Sequence, residues 1–429
     1  MKRRSFLSLS AAGGTALWLP NVFSAGRSTH TAPRASTPAR DNGRLLILVE
    51  LKGGNDGLNT VIPFAEPAYY QLRRNIALKR EQVIQLDERT ALHPSLAPLL
   101  PVWRSGELAI VQGVGYAQPN LSHFRSTQIW DTASHRDEYL REGWLARTFA
   151  SVPSTADRAA HGVVIGSAER GPLAQDGATS APVGGVQARG NYGDVAQAWA
   201  FQPPHVHSPL RMSEGLACSA FGASIEKAMQ MIAAGHMADS QAGRAPQRLQ
   251  IPLTSATSPA SQTSQTPPTS PTSQAFQAPP TLAPESGAVA AIRLTLNGFD
   301  THRNQPDRHR LLLTQLAEGL TAIRTALVDL GRWNDTLLMT YSEFGRHPRE
   351  NDSRGSDHGS VAPHFVMGGR VAGGLHGARP QFGQLDGDGN LPVGVDFRRL
   401  YATVLGRWWG LDAHAILRQH FEPLPLLRV

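Results

Sequence analysis

Carboxylates and imidazoles recur in this chain at points where apolar runs stop. The densest case is the stretch 336–369, TLLMTYSEFGRHPRENDSRGSDHGSVAPHFVMGG. Residues 337–341 read as a buried strand that breaks directly into Ser342, Glu343, Phe344 and Gly345, with Arg346 next. Asp357, His358 and His364 follow before a second apolar run, 365–367. Carboxylate plus imidazole is a ligand set for divalent cations such as Zn and Mn. Taken alone, the segment is equally compatible with a solvated surface loop.

The elements upstream have the same character. Residues 45–51, LLILVEL, form an apolar strand that ends in KGGNDG and brings Asp56 just past the strand. A second strand at 108–111 leads to Ser122, which stands where a helix starts; a helix cap is the ordinary role for such a serine, and a nucleophile beside helical N–H groups is the sharper one. A third strand, 289–296, ends in NGFDTH and supplies Asp300 and His302. Residues 307–330 then repeat Leu312, Leu316, Leu320, Ile323, Leu327 and Leu330 at helical spacing. Strand, helix and strand in that order predict parallel pairing with a right-handed crossover. In such a sheet the strand exits share one edge, where sites are built. Asp56, Asp300, His302, Glu343 and Ser122 are therefore expected near one another.

Composition narrows the function classes. A formal charge of +7 is spread without a long basic run, so there is no nucleic-acid footprint. Cys218 is the only cysteine, which excludes an intramolecular disulfide framework and a cysteine zinc site. Residues 1–25 read as an export signal, and Arg3-Arg4-Ser5-Phe6-Leu7 resembles the twin-arginine type that delivers folded proteins to its own export machinery. Residues 26–43 read as a linker, and 44–429 as a single α/β domain interrupted by a disordered Pro/Ser/Thr/Gln-rich insertion at about 244–286. No segment after the signal is expected to span a membrane.

Gly53-Gly54-Asn55-Asp56-Gly57-Leu58-Asn59, Ser122-His123-Phe124, Gly298-Phe299-Asp300-Thr301-His302, Ser342-Glu343-Phe344-Gly345-Arg346 and Asp357-His358-Gly359 occur in that order. The set resembles domain-of-unknown-function family 1501, exported and often twin-arginine proteins of the alkaline phosphatase and sulfatase-like clan. The resemblance implies a doubly wound, mostly parallel α/β sheet flanked by helices, one or two divalent metal ions (Zn, Mn or Ca) and an anionic phosphate or sulfate ester as substrate. By position, Asp56 resembles the first-strand metal carboxylate, Ser122 the nucleophile, and Asp300 with His302 a ligand pair, although one residue separates this pair where the clan usually has three. Two assignments stay open for the remaining ligands. Either Asp357-His358 is a displaced metal dipeptide, or Glu343 takes the aspartate's place and His358 or His364 is the last histidine. Arg346 could clamp the anionic group in bidentate fashion.

The implied activity is an exported, periplasmic or secreted, metal-dependent ester hydrolase. The alternative is a non-catalytic envelope binding or assembly protein that keeps a metal. A metal-free Ser-His-Asp hydrolase is disfavoured because the chain has no GxSxG elbow.

Overall fold

The computed structural model describes residues 43–151, 161–176, 210–242 and 289–428. The signal segment, all of the linker but Gly43, and the 244–286 insertion lie outside the described residues. Thirteen strands occur among the described residues: β1 (Leu45–Lys52), β2 (Val61–Ile62), β3 (Ile84–Gln85), β4 (Ala91–Leu92), β5 (Leu108–Gly115), β6 (His161–Ile165), β7 (Val289–Asn297), β8 (Thr336–Tyr341), β9 (Gly345–Glu350), β10 (Ser356–Gly359), β11 (Ala362–Met367), β12 (Gly374–Gly377) and β13 (Val395–Asp396). The main sheet runs β12-β5-β11-β8-β1-β7-β6, with β13 beside β5.

β1 is buried along nearly its whole length, as expected of a strand covered on both faces. Leu45, Ile47, Val49 and Leu51 point to one face and pack with Leu313, Leu316, Leu320 and Ile323 of the helix Gln305–Asp329. Leu46 and Leu48 point to the other face and join Trp130, Trp144 and Tyr401. Period-two alternation thus feeds two cores, one on each side of the sheet. The fold is a mixed, mostly parallel α/β sheet flanked by helices.

The helix Gln305–Asp329 has the length and hydropathy of a membrane span, which the sequence reading did not anticipate. Half of its most apolar window is buried against the sheet, so its leucines are accounted for by the protein core.

β7 and β8, joined through that helix, both pair parallel with β1, which lies between them. β11 is antiparallel to both β8 and β5, so β5 points the same way as β1. The residues between β8 and β11 form the antiparallel hairpin β9–β10 rather than a crossover helix. The chain therefore re-enters the sheet from the edge it left, and β11 must run antiparallel. The exits of β1, β5, β7 and β8 consequently share one edge.

The second face carries a polar surprise. Glu50 continues the Leu46, Leu48 series, yet it is buried and paired with Arg293 of β7 at 2.6 Å. Thr295 donates to the same carboxylate oxygen at 2.9 Å, and Arg293 Nε donates to Tyr341 Oη at 2.8 Å. Nearby, Asp131 Oδ1 is shut off from solvent without a donor among the described residues, and burial pushes its carboxyl up to about 8.

Two outcomes follow. Arg293→Leu strands Glu50 without its partner and should cost about 3–5 kcal/mol in denaturant unfolding, the scale of breaking a buried pair. Asp131 binds its proton more tightly folded than unfolded, so its own contribution to stability should fall as pH rises from 4 through 8, opposite to the gain from buried His364 over the lower part of that range. Asp131→Asn should remove that fall, so its stability relative to wild type should increase across the range and exceed it at pH 9, measured as unfolding midpoints across pH.

Candidate metal centre

Two glycines and one arginine set the floor of the site. Gly53 leaves β1 at φ +118°, and a Cβ there would lie 2.3 Å from the Asp300 backbone nitrogen. Only glycine lets the β1 and β7 exits touch so closely. Arg346 on β9 is buried beneath them. Its Nε donates to Gly54 O at 2.8 Å, Nη1 to Ser356 O at 2.8 Å, and Nη2 to Phe299 O at 3.0 Å, to Gly53 O and to Asp300 Oδ1 at 2.6 Å.

Around Asp300 stand three histidines from three chain segments. Oδ1 lies 3.0 Å from His302 Nε2, 3.3 Å from His358 Nε2 and 3.5 Å from His123 Nε2. His302 Nε2 and His358 Nε2 are themselves 2.9 Å apart. His123 opens the helix His123–Thr132 that follows β5, and Phe344 packs against the rings of His123 and His358 at centroid distances of 4.8 and 4.4 Å.

The other ring nitrogens settle the tautomers. His358 Nδ1 faces Leu121 O at 2.7 Å, and a carbonyl can only accept, so Nδ1 carries the proton. His123 Nδ1 donates to Glu343 Oε1 at 2.8 Å, and His302 Nδ1 to Asp357 Oδ1 at 3.1 Å. All three rings thus turn Nε2 toward one spot beside a carboxylate, where a neutral ring offers a lone pair and a charged one an N–H. Lone pairs 2.9 Å apart repel unless a proton or a cation lies between them.

The residues fit a metal ion. Ligand atoms about 2.0–2.1 Å from a tetrahedral Zn lie roughly 3.3 Å from one another, and the Asp300 separations of 3.0–3.5 Å bracket that edge. His123, Asp300 and His358 each offer an atom within 4.8 Å of the others. Outer carboxylates that hold a ligating imidazole by its second nitrogen are the usual support of such a centre. Three imidazoles suit Zn, Mn or Fe better than Ca, which takes 6–8 oxygen ligands.

The electrostatics agree. Partial burial opposes the charge on Asp300, but Arg346 and His358 hold its carboxyl down to about 2. The hydrogen bond to Glu343 raises His123, whereas burial lowers His358.

Several expected ligands stand elsewhere. Glu343 supports His123 and accepts from Gly53 N at 2.9 Å, one shell out from the position anticipated for it. Asp357, held low by Asn351 and His302, does the same for His302. Asp56 is fully buried. Burial opposes its charge, yet Arg73 at 2.6 Å overrides this and lowers its pKa. Gln305 Nε2 donates to the same oxygen and Leu58 N to the other, so Asp56 shapes the β1 exit instead of joining the cluster. His364 lies inside the sheet against Trp130, with neither ring nitrogen partnered among the described residues and burial pushing it down to about 3. Arg346 has its donors engaged by backbone carbonyls, Asp300 and, at 3.4 Å, His302 Nε2, which leaves no free fork for a substrate. Ser122 is exposed at the cap of the His123 helix, and its hydroxyl has no hydrogen bond among the described residues.

Residues 222–419 match the model of a family described as protein of unknown function, DUF1501. The DUF1501 match supports the resemblance carried by the motifs, and it spans Asp300, His302, Glu343, Arg346, Asp357 and His358. Ser122 and His123 precede the matched span. No curated protein matches the chain. His123 is the site residue the sequence reading passed over, although it sits inside the Ser122-His123-Phe124 motif; an imidazole next to a candidate nucleophile was the available signal.

Glu343→Gln and Asp357→Asn should each weaken binding of Zn or Mn by roughly 10–100-fold, the scale of losing an outer carboxylate. His123→Ala should weaken it further, while Asp56→Ala should act chiefly on stability. Metal titration beside thermal unfolding separates the two effects.

Proposed function

We propose that this chain is an exported, metal-dependent hydrolase of phosphate or sulfate esters, with Ser122 as nucleophile. The observation that carries the reading is the convergence of three imidazole Nε2 atoms on Asp300, one of them on His123, the residue that directly follows the unengaged Ser122 hydroxyl. Further support comes from the strand-exit location, the motif order and the twin-arginine-like start.

The residues divide the work. His123, Asp300, His302 and His358 would hold one divalent cation, while Glu343, Asp357 and the Leu121 carbonyl keep the rings aimed. The bound cation supplies Lewis-acid neutralisation of the anionic ester and of charge developing at the leaving oxygen. The first N–H groups of the His123 helix add a site for an anionic oxygen. Ser122 Oγ forms a bond to phosphorus or sulfur as the ester oxygen departs; the serine proton passes to solvent, and the departing alkoxide takes one up. Water then attacks the same atom, Oγ leaves and recovers a proton, and the sum is ester plus water giving alcohol plus phosphate or sulfate.

The test is metal analysis of the full-length protein, with turnover of p-nitrophenyl phosphate and p-nitrophenyl sulfate. Ser122→Ala should retain the metal and lose turnover by roughly 10³-fold or more, as expected for loss of a covalent nucleophile. Bound metal without any turnover in wild type would favour a non-catalytic envelope protein. Turnover unchanged by Ser122→Ala would remove the serine from the chemistry.

A further inference from the structure

The first residue of the helix Gln305–Asp329 is polar and fully buried, and its side chain makes three hydrogen bonds instead of joining the leucine core. Asp56 fixes which way that amide faces. Against its burial, Asp56 is kept ionised by Arg73 at 2.6 Å, and a carboxylate can only accept. Gln305 Nε2 donates to it, so Oε1 faces the other way. There it accepts from Thr301 Oγ1 at 3.2 Å and from Ser356 Oγ at 2.5 Å.

Those two hydroxyls belong to the segments that build the metal centre. Thr301 lies between Asp300 and His302, and Ser356 directly precedes Asp357 and His358. One buried oxygen therefore ties the β7 exit to the start of β10. The backbone sets the opposite limit, since a Cβ on Gly355 would lie 2.2 Å from the His302 carbonyl carbon. Close contact stops the segments approaching and the amide stops them parting. Their spacing governs the 2.9 Å gap between His302 Nε2 and His358 Nε2.

We propose that Gln305 is a positioning residue of the metal centre, clamping the segment of Asp300 and His302 to that of His358 at the spacing one cation requires. It acts through Thr301 and Ser356, because its own hydrogen bonds go to neither Asp300 nor a histidine. The inference rests on the metal-binding part of the function proposed above and needs nothing of Ser122.

The test combines Zn titration of the full-length protein against a chromophoric chelator, the visible spectrum of the Co-loaded form and metal-free unfolding midpoints. Gln305→Met keeps the side chain's length and removes all three bonds. It should weaken Zn binding about tenfold, the lower end of the loss when an outer support is removed, and shift the Co absorption bands. Ser356→Ala should weaken binding by a smaller factor, and adding it to Gln305→Met should cost nothing more, because the two act through one bond. Leu316→Ala, on the core face of the same helix, should lower the unfolding midpoint and leave affinity and spectrum alone. An equal loss of affinity in Leu316→Ala would make the effect one of general stability and overturn the proposal. Affinity and spectrum unchanged in both Gln305→Met and Ser356→Ala would overturn it too, and Ser356→Ala decides should Gln305→Met fail to fold. A wild type that takes up neither metal would remove the metal centre itself, and the role of Gln305 with it.

Discussion

The Arg346 guanidinium joins what would otherwise be separate loops. From beneath the site it reaches carbonyls of Gly53, Gly54, Phe299 and Ser356 and the carboxylate of Asp300. Those partners come from the exits of β1 and β7 and from the start of β10. A planar, permanently charged group with five donors can satisfy this many acceptors in one plane; an ammonium cannot. It also supplies the positive charge that keeps Asp300 ionised when the imidazoles around it are neutral. The position of the Asp300 carboxylate, its charge and the closeness of Gly53 all rest on this one side chain.

Above that floor, specificity of orientation comes from hydrogen bonds one layer out. A carboxylate, a second carboxylate and a backbone carbonyl each claim the Nδ1 proton of one histidine. The three claimants lie on different elements, so the three Nε2 atoms converge only when the β5 exit, the β7 exit and the β9–β10 hairpin are all in place. Any cation held there would in this way depend on the tertiary fold rather than on a local motif. Buried Asp56, held by Arg73, makes a different contribution: it fixes the shape of the β1 exit and leaves the cation site to Asp300 and the histidines.

Much was legible in the chain itself. Continuous apolar runs ending in glycine, aspartate and histidine marked β1, β7 and β8, and the leucine spacing marked the helix between the last two, because burial imposes those periods directly on sequence. Asp300 and His302 stood out as candidate ligands because charged and ligating groups immediately after buried strands have few other uses, and His358 did so as part of the Asp-His-Gly motif. What sequence could not decide was which carboxylate touches the cation. Asp56, Glu343 and Asp357 are of ligand type and in ligand-like places, yet each is claimed by a partner from 17 to 220 residues away or, for Asp357, by His302 at a separation of 55. The ion pair of Glu50 with Arg293, the commitment of Arg346 and the enrolment of His123 likewise depend on contacts between distant segments. Strand periodicity is a local consequence of burial and can be read locally; the division of a cluster into ligands and supports is set by distances of a few tenths of an ångström across three loops, and only the folded arrangement contains them.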